Sequence, residues 1–348
     1  MSTPLLIGTI VGAFAAALLT TRSVRDFARR KHLLDHPNDR SSHAVPTPRL
    51  GGVGIVAAFL VAAAIVAASS EAPGRLAVIL VATAAVAAVG LLDDLRPMPA
   101  RVRFAVQAVA AMVVVVSSDG LRGAPWLEPL PWALQAPLLV LWIVWMTNLY
   151  NFMDGIDGLA GGQAVIAAGA IAVAAFAGGA PTTGLLLVAL AAASAGFLAF
   201  NFPPSSIFMG DVGSTAIGFF LACVPLLPEA RPVPIELVGI AVSLFILDAT
   251  TTLVRRIARG ERWFEAHRTH YYQRPVAMGW SHRAVTLTAY AGMGLAGAGA
   301  IAYQAAGPEG RLLLLALPVV VFAALAAAVH AMERRAGQDA SDAENAAR

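Results

Sequence analysis

The 348-residue sequence has few charged residues and almost no cysteine or lysine. It contains one cysteine, one lysine and 13% charged residues, whereas 58% of the residues are hydrophobic. The single thiol, Cys223, excludes an internal disulfide, and the composition excludes both a soluble globular domain and a disordered chain. The arginines are not interleaved with stacking aromatic residues, so the formal charge of +3 gives no indication of a nucleic-acid partner. What remains is a polytopic membrane protein in contact with a lipid bilayer.

Apolar stretches that can cross the roughly 30 Å hydrocarbon core recur along the whole chain, and all but 235–253, which contains Glu236 and Asp248, are uncharged. They predict an all-α fold with about eleven transmembrane helices, at residues 4–20, 51–70, 76–92, 104–118, 133–150, 159–177, 183–200, 213–228, 235–253, 284–306 and 312–331. We expect one transmembrane domain over 1–335 and a disordered polar tail over 336–348.

The distribution of Lys and Arg predicts the orientation in the membrane. Of the 24 basic residues, 20 fall in the alternate loops 22–50, 93–103 and 255–283 and in the tail. Because positively charged loops stay in the cytoplasm, the N-terminus is predicted outside and the C-terminus inside. The first apolar stretch lacks a basic segment before it and is followed by positive charge, so it reads as a retained helix and not as a cleaved signal peptide.

Five aspartates gather at the cytoplasmic face that this topology defines: Asp93, Asp94, Asp154, Asp157 and Asp211. A carboxylate costs roughly 2.5–3.5 kcal/mol at the centre of a membrane helix on insertion scales, so a cluster at helix ends needs a reason. Two carboxylates about 4 Å apart repel by about 1 kcal/mol in water and by about 4 kcal/mol at an effective dielectric of 20. A bound cation would relieve this repulsion.

Three motifs carry these acids. In NLYNFMDGIDGLAGG, Asn148, Asn151, Asp154 and Asp157 are spaced by three and are predicted on one side of a helix or helix end. Asp211 begins a span, where helical N–H groups point outward. For these acids, capping of the following helix is the structural alternative. Asp93 and Asp94 end a helix and oppose its dipole, so capping does not explain them, although solvated loop charge is an alternative.

Two further segments supply cationic groups. His267, Arg268 and His270 lie in HRTHYYQR, and His43 and Arg49 lie in the loop before the second span. We interpret them as substrate-binding residues, with the first three forming a clamp on phosphate. The alternatives are metal ligation by the two histidines and a loop without a catalytic role.

The ligands that the five aspartates offer are all oxygen, which favours Mg²⁺, with Mn²⁺ as the alternative, over zinc or copper. Mg²⁺ prefers to share phosphate oxygens with a substrate. A phosphate-bearing lipid and a soluble diphosphate would meet here.

The motifs LLDDL at 91–95, NFMDGIDGLAGG at 151–162 and NFPPSSIFMGDVGSTAIGF at 201–219 occur in an order that resembles one superfamily. These are the polyprenyl-phosphate N-acetylhexosamine-1-phosphate transferases, which include the WecA and MraY enzymes of glycosyltransferase family 4. The resemblance runs from about residue 35 to about 283 and is closest to the WecA-like branch that initiates O-antigen or capsule synthesis. The loop 255–283, the late loop, departs from the family's HxHH run, because His270 is followed by Tyr271, Tyr272 and Gln273.

The resemblance implies a Mg²⁺-dependent enzyme that transfers an N-acetylhexosamine-1-phosphate, or a deoxy or modified relative, from a UDP-sugar to undecaprenyl phosphate. UMP is released, and the lipid-linked diphosphate sugar initiates synthesis of a cell-surface polysaccharide such as the O-antigen of lipopolysaccharide. By motif, Asp211 is the main metal ligand and Asp154 and Asp157 support the metal and nucleotide, with Asn151 beside them. Asp93 and Asp94 are the acidic pair near the lipid phosphate. The predicted catalytic residues are Asp93, Asp94, Asp154 and Asp157.

The expected location is the bacterial inner membrane, with the active site on the cytoplasmic face. Two other functions fit part of the pattern. The first is a transporter for an anionic solute, although such proteins place ionisable groups near the bilayer midplane. The second is a CDP-alcohol phosphotransferase, whose core motif has arginine where this chain has Gly161. The sequence leaves a homodimer and the identity of the sugar open.

Overall fold

The computed structural model describes residues 3–35, 37, 45–118, 127, 129–261 and 268–346, with side chains to residue 338. This part of the chain is almost entirely helical. Its helices are α1 Thr3–Arg30, α2 Gly52–Ala68, α3 Pro73–Leu95, α4 Ala100–Ser117, α5 Trp132–Phe152, α6 Leu159–Ala177, α7 Pro181–Asn201, α8 Asp211–Cys223, α9 Ile235–Ala241, α10 Ser243–Ala258, α11 Gln273–Ala277, α12 His282–Ala305 and α13 Pro308–Ala346.

Every predicted apolar stretch is helical in the structure. Among the described residues, eight helices are long and apolar enough to cross a membrane, and α9 with α10, bent by 81°, gives a ninth. The two remaining stretches correspond to the shorter apolar segments Gly52–Ala68 and Asp211–Leu226. The prediction of an all-α polytopic membrane protein is confirmed, whereas the number of eleven crossings and the sides of the termini stay predictions.

The most buried of the long helices, α6 and α7, form an antiparallel pair at the centre of the bundle. The sequence of α6, LAGGQAVIAAGAIAVAAFA, is rich in Ala and Gly, and small side chains let helix backbones approach closely in a membrane. The turn before it depends on Gly158, whose φ of 77° is left-handed. Such a backbone angle strains any residue with a side chain.

The start of α8 is enclosed by α2 and α3. A methyl group on Gly90 of α3 would come within 2.6 Å of the Asp211 backbone, and Gly52 of α2 lies directly against Gly213 of α8. The backbone N–H groups of Gly51 and Gly52 donate to the carbonyls of Phe208 and Met209, each at 2.8 Å. These contacts fix the first turn of α8 between two other helices.

A short hairpin, β1 (Leu34–Asp35) and β2 (Thr47–Pro48), connects α1 to α2. At the other end of the chain, α13 continues to Ala346, into the segment for which the sequence predicts disorder. The domain boundary at residue 335 stays a prediction.

Candidate functional site

The predicted acids come together where α3 and α5 end and where α4 and α8 begin. This arrangement follows from chain direction, because α3 is antiparallel to α4 across the short connection 96–99. The last turn of α3 therefore faces the first turn of α4. The connection between α5 and α6 adds Asp154 and Asp157 to the same end of the bundle.

Asp94 binds the start of α8. Its Oδ1 accepts a hydrogen bond from the Asp211 N–H at 2.9 Å and its Oδ2 accepts one from the Val212 N–H at 3.0 Å. The first N–H groups of a helix have no partner within the helix, and a carboxylate there also meets the positive end of the helix dipole. Capping of α3, the helix that carries Asp94, is unfavourable because an acid at a helix C-terminus opposes the dipole. The structure nevertheless corrects the exclusion of capping, since Asp94 caps the N-terminus of a different helix.

We expect Asp94→Ala to destabilise the protein by about 1–3 kcal/mol, because partly buried N–H groups at the start of α8 lose their acceptors. Thermal unfolding in detergent, followed by tryptophan fluorescence, measures the change. Asp94→Asn keeps one acceptor oxygen and should lose less stability. Equal thermal midpoints for Asp94→Ala and the wild-type protein would contradict this role.

Arg103, near the start of α4, bridges two of the acids. Its Nη1 donates to Asp93 Oδ2 at 2.6 Å and to Asp211 Oδ2 at 2.8 Å. Asp93 Oδ1 also accepts from the Met98 N–H at 2.6 Å. A guanidinium group thus occupies the space between two carboxylates that the sequence places 118 positions apart.

Asp211 also binds the end of α5. The Asn151 Nδ2 donates to Asp211 Oδ1 at 2.8 Å and to Ser214 Oγ at 2.9 Å. The predicted stripe of four polar residues stops here, because α5 ends at Phe152 and Asp154 and Asp157 lie in the connection that follows. Asn151 nevertheless lies beside the acid that the motif assigns to the metal.

Asp154 and Asp157 have different surroundings. Burial, together with the neighbouring carboxylates of Asp211, Asp94 and Asp157, raises the pKa of Asp154 to about 8. Within the described residues, no hydrogen bond or ion pair to its carboxylate is present. Burial also raises the pKa of Asp157, but hydrogen bonds from His282 and Ser205 outweigh it and hold that pKa below its usual value.

The contacts of Asp157 show what it holds in place. Ser205 donates through Oγ to Asp157 Oδ1 at 2.8 Å and through its N–H to Oδ2 at 3.0 Å, and His282 Nδ1 lies 3.3 Å from Oδ2. Asp157 therefore fastens the segment before α8 to the start of α12. A polar cleft of about 620 Å³ opens beside it, lined by Arg29, the β-hairpin and Ser205, Ser206 and His282.

The late loop is buried around His270. The ring is 4% exposed, and its Nδ1 lies 3.1 Å from Asp248 Oδ1, so this contact lies in the protein interior. Arg268 lies exposed nearby, and Arg49 pairs with Asp35 of the β-hairpin while lying within electrostatic range of Asp94. His43 and His267 fall outside the described residues. Substrate binding by these five residues stays a prediction.

The oxygen-rich acids fit a magnesium ion that is shared with a substrate, although they do not form a complete protein cage. No group of three His, Cys, Asp or Glu side chains in the described ranges could enclose a metal. Mg²⁺ commonly uses one or two carboxylates and completes its shell with water and phosphate oxygens. Among the described residues the Asp154 carboxylate has no partner, and burial and the neighbouring acids raise its pKa; this is the observation that favours a cation here.

Sequence reasoning missed Arg103, Ser205, His282 and Asp248 as residues of this region. Arg103 was counted only as a topology signal, although the short α3–α4 connection already placed it opposite Asp93. Ser205 lies within the motif at 201–219, but its contact with Asp157, like those of His282 and Asp248, forms only through the packing of distant segments.

The fold and site define a polytopic helical membrane protein with a cluster of acids at its helix ends. Residues 76–228 match the family described as glycosyl transferase family 4. The chain is 35% identical over 295 residues to a probable undecaprenyl-phosphate N-acetylglucosaminyl 1-phosphate transferase of Bacillus subtilis, which covers 81% of each chain. The chain belongs to this family.

Two other relatives extend the comparison. A decaprenyl-phosphate N-acetylglucosaminephosphotransferase of Mycobacterium tuberculosis is 33% identical over 330 residues, covering 84% of this chain and 81% of the relative. A phospho-N-acetylmuramoyl-pentapeptide-transferase of Shouchella clausii is 29% identical over 308 residues, covering 81% and 92%. The superfamily that the three motifs indicate is thereby confirmed.

Proposed function

We propose that the protein transfers an N-acetylhexosamine-1-phosphate from a UDP-sugar to undecaprenyl phosphate, with release of UMP, and so initiates synthesis of a surface glycan. The observation that carries this proposal is the cluster of Asp211, Asp93, Arg103 and the buried Asp154 in a chain whose relatives are named as polyprenyl-phosphate sugar-phosphate transferases. The two relatives named for N-acetylglucosamine make UDP-N-acetylglucosamine the first donor to test.

The reaction needs alignment and charge neutralisation more than a strong base. The second pKa of a phosphate monoester is near 6, so the acceptor phosphate is largely ionised at neutral pH. Arg103 can exchange a carboxylate for a phosphate oxygen, because carboxylate and phosphate both match guanidinium geometry. Asp93 keeps Arg103 aimed at the pocket, and Asp94 fixes the turn that carries Asp211.

Asp211 and Asp154 are the residues that would hold Mg²⁺. When bound, the ion supplies positive charge to the transferred phosphoryl group and its leaving diphosphate. Asn151 holds Asp211 in orientation through the 2.8 Å bond to Oδ1. Among the described residues the Asp154 carboxylate has no hydrogen-bond or ion-pair partner, and a dication held there would provide one.

The donor fits the polar cleft beside Asp157. Its volume of about 620 Å³ lies within the range of roughly 300–1,000 Å³ that ligand pockets occupy. Arg29 and His282 at its wall offer donors to phosphate or sugar oxygens. We place this cleft on the cytoplasmic side of a bacterial inner membrane, because the arginine-rich loops lie at the same end of the bundle and UDP-sugars are water-soluble.

Purified protein with undecaprenyl phosphate, Mg²⁺ and UDP-N-acetylglucosamine should yield equal amounts of UMP and lipid-linked diphosphate sugar. Addition of excess EDTA should remove UMP release, and Mg²⁺ should restore it. A panel of UDP-sugars then identifies the donor. Solute flux without UMP would favour a transporter, and CMP release from a CDP-alcohol would favour the other transferase class.

A further inference from the structure

The late loop is fastened to α10 by one buried carboxylate. Asp248 is 4% exposed. It accepts hydrogen bonds from two consecutive backbone N–H groups, those of Tyr271 at 3.0 Å and Tyr272 at 3.1 Å, while the His270 ring lies 3.1 Å away. A carboxylate that binds successive N–H groups fixes the backbone between them. The position of Tyr272 is therefore set by α10.

The side chain of Tyr272 reaches across to the connection that carries Asp154. Its hydroxyl donates to the carbonyl of Phe152, the last residue of α5, at 3.1 Å. The same hydroxyl lies so close to the Gly155 backbone that a Cβ at position 155 would collide with it. The ring is 8% exposed and stacks on His270, with centroids 5.7 Å apart.

These contacts form one continuous link from α10 to Asp154. Phe152 and Gly155 bracket Asp154 in the chain, and the Tyr272 hydroxyl touches both. Past the end of α5 the backbone hydrogen bond from the Asp154 N–H to the Asn151 carbonyl, at 3.2 Å, continues the helical pattern as far as Asp154. The Asp154 carboxylate has no hydrogen-bond or ion-pair partner of its own among the described residues. The Tyr272 hydroxyl therefore restricts the position of Asp154.

We propose that Tyr272 is a positioning residue, which holds the turn of Asp154 in the geometry that binds a divalent cation, and that Asp248 holds Tyr272. The inference rests on the proposed function, since that proposal gives Asp154 its metal. It also gives a role to a tyrosine that stands where the family's HxHH run has a histidine.

Tyr272→Phe tests the inference because it removes the hydroxyl and leaves the ring in place. Mn²⁺ binding to the full-length protein in detergent, measured by electron paramagnetic resonance without substrates, should weaken by about tenfold, the lower end of the range for residues that orient metal ligands. The Mg²⁺ concentration for half-maximal UMP release should rise by a similar factor, while the KM for undecaprenyl phosphate stays constant.

Two variants complete the design. Tyr303→Phe removes a tyrosine hydroxyl near the far end of α12 and should leave Mn²⁺ affinity unchanged. Gly155→Ala displaces the Tyr272 hydroxyl without altering Tyr272 and should weaken Mn²⁺ binding in the same way. Agreement of Tyr272→Phe and Gly155→Ala, against an unchanged Tyr303→Phe, supports the inference.

Wild-type Mn²⁺ affinity in folded Tyr272→Phe would overturn the inference, as would an equal loss in Tyr303→Phe. A wild-type protein that binds Mn²⁺ more tightly than Tyr272→Phe yet forms no UMP with any donor would overturn the proposed function instead. The positioning role would then stand without that chemistry.

Discussion

Asp211→Asn is expected to lower the rate of UMP release by about 10²–10³-fold, the loss typical of removing one charge-stabilising group from an active site. The amide keeps the size of the side chain, and its oxygen can still accept the hydrogen bond from Asn151. It cannot supply a negative charge to a dication. The backbone N–H of residue 211 still donates to Asp94, so α8 stays anchored and the thermal midpoint should change little.

Asp26→Asn is the matched control for this substitution. Asp26 lies on α1 and pairs with its neighbour Arg25 at 3.0 Å, outside the contacts that converge on Asp211. This variant should retain wild-type activity. Full activity of Asp211→Asn would refute the metal assignment while leaving the family intact, whereas equal losses in both variants would indicate a general effect of charge removal.

Hydropathy predicts the helices well because it measures the length of a continuous apolar stretch, and that same length decides whether a segment inserts into a membrane as a helix. Each predicted stretch is helical, although 235–253 is divided between α9 and α10. Local composition does not specify where a span bends, and so the 81° break between α9 and α10 was not predicted. This break is relevant to the site, because α10 carries Asp248, whose carboxylate binds the late loop.

The acids were predicted to meet because each ends or begins a span on one side of the membrane. Their individual partners could not be predicted in the same way. A carboxylate at Asp94 is unfavourable beside the dipole of its own helix, α3. It is stabilised by the N-terminus of α8, which packs closely against α3 at Gly90. Contacts between distant segments decide what a charged residue does, and one sequence does not reveal them.

Arg103→Met should lower activity by about 10²-fold or more and raise the KM for undecaprenyl phosphate, because the guanidinium that we propose to bind phosphate is lost. It should also destabilise the protein in the absence of metal. Asp93 and Asp211 would face each other without the cation that now lies 2.6 and 2.8 Å from them. Repulsion between two such charges about 4 Å apart reaches about 4 kcal/mol at an effective dielectric of 20.

The effect of Mg²⁺ on thermal stability gives the sharper measurement. A dication can replace the missing positive charge, and a ligand that binds only the folded state raises its stability. We therefore expect Mg²⁺ to raise the thermal midpoint of Arg103→Met more than that of the wild-type protein. Arg101→Met, two residues earlier on the same helix and exposed, is the control and should behave as the wild type. An Arg103→Met protein with normal activity and no added Mg²⁺ stabilisation would show that the bridge between the two acids serves neither substrate nor metal.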